Sequence, residues 1–253
     1  MNLRWTLPRL AALVAAAALA CSHAPSTKER RTAEIHHDLG VEALKAGRLP
    51  DALREFDEAL AIDEGFPEAH RGRGLVLDYG FNRLEEAERS YRRALQLRPA
   101  FSEAHNDLGQ LLARTGRADE ALREFDLALE NMLYKEPYVA RCNKGLAQYR
   151  AGRRDEGLAT MRGCVAAAPT YCRGRRDLGR TLLEEKRMRE AVDELSAYAR
   201  FCDRVPDAHL QLGLARMKAG DVAGARAEFE RCRDLGELTP DGEECRRSLS
   251  MLE

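Results

Sequence analysis

Two residue types in this chain could carry chemistry, cysteine and histidine. There are seven cysteines: Cys21, Cys142, Cys164, Cys172, Cys202, Cys232 and Cys245. Six lie in the second half, and Cys21 stands alone near the start. In an oxidising compartment an odd count leaves one cysteine for a separate role. No two are spaced C-x-x-C, so a thioredoxin-type dithiol has no support. The histidines are His23, His36, His37, His70, His105 and His209. His36 and His37 form the one local cluster, and neighbours on a helix point about 100° apart, so they do not converge on an ion. No G-x-S-x-G, phosphate loop or H-E-x-x-H occurs. Gly72-Arg73-Gly74 starts a G-x-G and lacks the third glycine. Acid pairs such as Glu85-Glu86, Glu184-Glu185 and Glu243-Glu244 read as solvated helix faces. The expectation is a chain with no metal, no cofactor and no catalytic residues, and so not an enzyme.

The 253 residues carry 41 basic and 42 acidic side chains, a net charge of −1. That balance argues against a nucleic-acid binder. Residues 1–20 stand apart from the rest. Arg4 and Arg9 precede an apolar run, Leu10 to Ala20. A spanning helix needs about 20 apolar residues, so the run has the length of a signal peptide and not of an anchor. It ends Ala18-Leu19-Ala20-Cys21, which resembles a bacterial lipobox, with Ala18 where that pattern favours leucine. The resemblance implies cleavage before Cys21, a covalent lipid on it, and membrane attachment. By the same resemblance Ser22 implies export to the outer membrane, facing the periplasm. An ordinary signal peptide cut near Ala20 is the other reading. If Cys21 is acylated, the remaining cysteines are even in number, in a compartment that permits disulfides.

The elements that position the rest come from an internal repeat. Residues 39–60, 108–129 and 212–233 each begin Leu-Gly and then set a glycine, an alanine and an aromatic at the same spacings. This pattern resembles the tetratricopeptide repeat, a helix-turn-helix unit. Gly40, Gly109 and Gly213, with Ala52, Ala121 and Ala225, let two helices approach. Phe56, Phe125 and Phe229 fill the space between them. Gly47, Gly116, Gly152 and Gly220 end first helices in the left-handed region. The fold expected is all-α, a tetratricopeptide-repeat superhelix of six units, 33–66, 67–101, 102–137, 138–171, 172–205 and 206–238. Residues 21–32 would be a lipidated tether, and 239–253 a capping helix, within a solenoid domain of 33–253. The second and third units carry one and two extra residues. Degenerate positions are Arg73 and Lys144 for leucine, Gly157 for alanine, and Tyr198 for a small residue.

The repeat re-reads both chemical residue types. His36, His70, His105 and His209 share the fourth repeat position, so they are packing residues about 10 Å apart in neighbouring units. The six distal cysteines fall where antiparallel helices face each other. Pairing 142–164, 172–202 and 232–245 follows; the rival scheme pairs 142–172 and 202–232. The concave face of such an array is lined by first helices. Val41, Leu44, Leu75, Tyr79, Asn106 and Gln110 sit at groove positions and form the candidate partner-binding surface. Some of the apolar ones could instead complete the core. Arg173, Arg176 and Arg180 form a candidate site for an acidic segment, unless Glu184 and Glu185 neutralise them.

Signal, Cys21, short tether, six repeats and cap together resemble the type IV pilus biogenesis lipoproteins, the PilF/PilW pilotins, and most of all their myxobacterial member. The resemblance implies an outer-membrane pilotin that binds secretin subunits and promotes their multimerisation, as pilus biogenesis and pilus-dependent motility require. It implies no small-molecule substrate and no nucleic acid. The alternative is a general envelope scaffold lipoprotein, an adaptor for peptidoglycan enzymes or β-barrel assembly.

Overall fold

The computed structural model describes residues 25–252. The expected signal segment 1–20 and Cys21 lie outside them. The described residues form thirteen α-helices. Twelve make six antiparallel pairs: α1 (Thr27–Lys45) with α2 (Leu49–Ile62), α3 (Pro67–Leu75) with α4 (Leu84–Leu97), α5 (Ser102–Arg114) with α6 (Ala118–Glu130), α7 (Pro137–Arg150) with α8 (Arg154–Ala167), α9 (Cys172–Glu184) with α10 (Met188–Phe201), and α11 (Pro206–Lys218) with α12 (Val222–Leu235). The last, α13 (Pro240–Ser250), packs on α12 and α11 as a cap. A terminal repeat would otherwise expose its apolar face.

The start of α1 corrects the tether's expected extent. The helix begins at Thr27, inside the segment 21–32. Ser26 and Glu29 form a reciprocal capping box: the Glu29 amide donates to Ser26 Oγ (3.3 Å), and the Ser26 amide donates to Glu29 Oε2 (2.7 Å). This satisfies two amides that a helix start leaves open. Polar composition suggested a tether; S-x-x-E at 26–29 specifies a helix.

One contact organises every pair. The eighth residue of each repeat is glycine: Gly40, Gly74, Gly109, Gly145, Gly179 and Gly213. Facing them are Phe56, Tyr91, Phe125, Met161, Leu195 and Phe229 of the second helices. A β-carbon at any of the six would lie 2.5–2.9 Å from that side chain. These six large side chains are all buried. At Gly47, Gly116, Gly152 and Gly220 the first helices end with φ between +71° and +86°, where glycine carries no Cβ penalty. Asn82 and Lys186 take that place in repeats 2 and 5.

The extra residues have structural homes. In repeat 2 the first helix closes with a π-helical turn, Val76–Gly80. Such a turn absorbs one inserted residue without breaking the helix. In repeat 3 two extra residues enlarge the loop after α6. They leave Met132 and Leu133 at 98% and 88% exposure, while Tyr134 is buried. Asn131 holds this loop, accepting from the Leu133 amide (3.0 Å) and donating to Ser102 Oγ (3.0 Å).

Truncation of Phe125 to alanine should lower stability by about 3–5 kcal/mol, since the ring is wholly buried against Gly109. The exposed Leu127→Ala in the same helix should stay within about 0.5 kcal/mol. Denaturant midpoints for the two variants check this; equal losses would mean that the Gly–ring contact does not organise the pair.

Candidate functional site

The six distal cysteines are joined as Cys142–Cys164, Cys172–Cys202 and Cys232–Cys245, with Cα atoms 5.4, 6.1 and 6.1 Å apart. The first two bridges clamp α7 to α8 and α9 to α10, and the third ties the capping helix to α12. Gly174 makes room for the first, because a β-carbon there would lie 2.6 Å from Cys142 Sγ.

The histidines hold the paired helices together. His36, His105 and His209 each place Nδ1 on a carboxylate nineteen residues on, Glu55, Glu124 and Glu228, at 2.6–2.8 Å. His105 and His209 place Nε2 on the carbonyls of Pro99 (2.8 Å) and Asp203 (3.0 Å). Arg175 does the same work in repeat 5, donating to Glu194 (2.7 Å) and to the Pro99 equivalent, the Pro169 carbonyl (2.6 Å). The glutamates escaped the sequence reading, although their fixed distance from the histidines was a usable signal. At His105 both partners are pure acceptors, so the doubly protonated ring satisfies them best. Burial lowers its pKa, but the hydrogen bonds to Glu124 and Pro99 raise it further, and the net shift is upward. His70 shows the contrast. Ser90 stands where the glutamate would be, and burial, with Arg93 and Arg73 nearby, pulls the His70 pKa down. Among the described residues no group of three or more His, Cys, Asp or Glu is placed to hold a metal.

The first helices lie side by side, α5 on α7 and α7 on α9, and line a concave face. The face holds a cavity of about 240 Å³ from Tyr79 in repeat 2 to Glu184 in repeat 5. Tyr79 and Gln110, two of the expected groove residues, line it, and Tyr79 Oη donates to Gln110 Oε1 (3.4 Å). Asn106 is buried behind it, accepting from Asn143 Nδ2 (2.8 Å) and donating to Asp107 (3.3 Å). Val41 and Leu44 are half-buried against the core around Phe56, and Leu75 against the core around Phe125. These three complete the core; they do not line the cavity.

Two reciprocal ion pairs lock repeat 2 to repeat 3. Arg71 Nε donates to Asp107 (2.6 Å), and Arg114 donates to Asp78. Both carboxylates are buried. Burial pushes each carboxyl pKa up against the pull of its arginine, and the net shift is upward. Further along, the cavity wall carries Arg150, Arg173, Arg176 and Arg180. Glu185 does not neutralise them. It accepts from Tyr149 Oη (2.7 Å) and pairs with Arg154 (3.1 Å).

The family model of the tetratricopeptide repeat matches residues 37–78, 77–131 and 177–241, more than half of the chain. The chain belongs to the tetratricopeptide-repeat family. Among solved structures, PilW, described as a widely conserved type IV pilus biogenesis factor, matches with 22% identity and a TM-score of 0.72, over 84% of this chain and 97% of that one. PilF of Pseudomonas aeruginosa matches with 18% identity and a TM-score of 0.68, over 87% and 99%. A tetratricopeptide repeat protein from Parabacteroides merdae matches with 17% identity and a TM-score of 0.68, over 87% and 84%. Comparison with curated proteins finds no match.

The tetratricopeptide-repeat model skips residues 132–176, which hold repeat 4. That repeat has Lys144, Gly157 and Met161 at the anchor positions. The helix pair forms regardless, and the Cys142–Cys164 bridge closes it. Replacing both cysteines by alanine should cost about 2–4 kcal/mol, a model-dependent figure read from denaturant midpoints. Peptide mapping without reductant should return 142–164, 172–202 and 232–245; a 142–172 peptide would contradict this connectivity.

His105 also makes stability depend on pH. Its pKa is higher in the folded protein, so its contribution is complete below the unfolded value of about 6.5 and fades as pH rises through the folded value. The melting-temperature gap between the wild-type protein and His105→Phe should therefore be wide at low pH and narrow toward alkaline pH. A gap that widens with pH would show that the ring is neutral when folded.

Proposed function

We propose that the protein is a lipid-anchored pilotin of the outer membrane, facing the periplasm. It captures subunits of the type IV pilus secretin and promotes their assembly into a ring. The observation that carries this reading is the extent of the match, which covers 84% of this chain and 97% of PilW, and 87% of this chain and 99% of PilF. Three disulfides in the distal half agree with an oxidising compartment. Cys21, at the end of the apolar run, supplies the anchor through its lipid. The concave face supplies binding, with no chemistry asked of it.

Deletion of the gene should abolish secretin multimers and surface pili while porin levels stay normal. General porin loss or altered cell-wall hydrolysis would instead support an envelope scaffold of the wider kind. Cys21→Ala should leave the protein unprocessed or mislocalised, and continued acyl labelling of that variant would refute the anchor. Tyr79→Ala with Gln110→Ala should weaken secretin capture without a change in melting temperature. Leu44→Asp and Leu75→Asp are unsuitable for that test, because both leucines pack on the core.

A further inference from the structure

The concave cavity is lined by five arginines, Arg114, Arg150, Arg173, Arg176 and Arg180, against two carboxylates, Asp177 and Glu184. That local excess of three positive charges occurs in a chain whose net charge is −1. Like charges gathered in one concavity repel each other unless carboxylates answer them. Some are answered. Arg114 pairs with buried Asp78, and Arg176 with Asp177 (3.1 Å). Arg173 reaches Asp177 only at 3.7 Å and donates to Gln110 (3.2 Å). Arg150 and Arg180 are exposed, and neither makes an ion pair or side-chain hydrogen bond with a described residue.

Repeat geometry explains Arg150. It occupies the thirteenth position of repeat 4, as Arg114 does in repeat 3. Arg114 reaches back to the twelfth position of the preceding repeat and finds Asp78 there. The residue that corresponds to Asp78 in front of Arg150 is Ala113. The same guanidinium position is therefore repeated without its carboxylate. Facing it across the cavity, α9 presents Arg173 and Arg180 two turns apart on one helical face.

We infer that this cavity binds a carboxylate of an acidic peptide segment, held between Arg150 of α7 and Arg173 and Arg180 of α9. A planar guanidinium takes a carboxylate through two parallel hydrogen bonds, so the arginines recognise its shape as well as its charge. Tyr79, Leu146 and Tyr149 supply apolar wall for the stem of the acidic side chain. The inference deepens the pilotin reading by giving the chemistry of the captured segment, and it rests on that reading for where the segment comes from.

The test is fluorescence anisotropy on the purified protein. The probe is a labelled peptide with a run of glutamates and an amidated C-terminus. Comparison peptides carry glutamine in place of glutamate, with either an amidated or a free C-terminus. The glutamate peptide should bind, and the amidated glutamine peptide should bind about tenfold more weakly or worse. Binding restored by the free C-terminus assigns the carboxylate to a chain end; binding only with glutamate assigns it to side chains. Arg150→Gln with Arg180→Gln should cost a similar factor at unchanged melting temperature, because neither side chain supports the fold. Ala113→Asp offers a second route. It gives Arg150 an internal carboxylate, as Asp78 does for Arg114, and should weaken the peptide with every arginine retained. Equal binding of the glutamate peptide and the amidated glutamine peptide, or full binding by the arginine variant, would overturn the proposal. So would inorganic phosphate that displaces the peptide at matched concentration, since the cavity would then be a general anion site. The pilotin reading fails separately, if deletion leaves secretin multimers intact.

Discussion

The whole array depends on one steric relation, a glycine on the first helix receiving a large side chain from the second. The missing β-carbons let the helix axes close, and the inserted side chain then fills the space. Where that side chain is aromatic, in repeats 1, 2, 3 and 6, no disulfide joins the two helices. Where it is Met161 or Leu195, in repeats 4 and 5, one does. Methionine is flexible and specifies packing weakly. A cross-link restricts the unfolded chain instead, and so stabilises the same pair by a different route. The third bridge lies at the cap, where the array has a neighbour on one side only. The cysteines thus lie where no aromatic ring fills the gap between the helices, or where the array has one neighbour only.

The fold was legible because its determinants recur. Glycine, alanine and aromatic spacings repeat through the chain, and a repeated spacing reports packing more securely than any single residue. The cysteine pairing was legible for the same reason, since the repeat gives each residue a height on its helix. Insertions were countable but could not be placed. The additional residue of repeat 2 could have lengthened a loop, and only the structure puts it in the π-helical turn at Val76–Gly80. Val41, Leu44 and Leu75 were assigned to the groove because position alone cannot separate a groove wall from the edge of a core. The buried pairs Arg71–Asp107 and Arg114–Asp78 join residues thirty-six apart. Sequence distance says nothing about that partnership until the repeats are stacked.

Buried ion pairs seldom add much stability, because two ions must leave water to form them. Here their arrangement does something else. Arg71 reaches forward from repeat 2 and Arg114 reaches back from repeat 3, so a shift of one repeat along the other breaks both pairs at once. Such a clamp fixes register between units whose shared apolar core, from Leu77 and Tyr91 to Leu108 and Phe125, is not itself directional. Arg117 adds to it from the outer side, donating to Glu88 of the preceding repeat (2.8 Å).

The concave cavity lies between two stiffened regions. On its N-terminal side is the reciprocal clamp between repeats 2 and 3; on its C-terminal side are the disulfides of repeats 4 and 5. Binding a flexible segment costs the ordering of both partners, and a wall that is already ordered removes its own share of that cost. Guanidinium groups gathered on a mobile surface would drift apart under mutual repulsion. Arg150 stands on one cross-linked helix pair, and Arg173 and Arg180 on the next, so the helix that carries each is tied to its own partner. The cross-links that stand in for an aromatic ring in repeats 4 and 5 therefore also hold the helices that carry positive charge into this concavity.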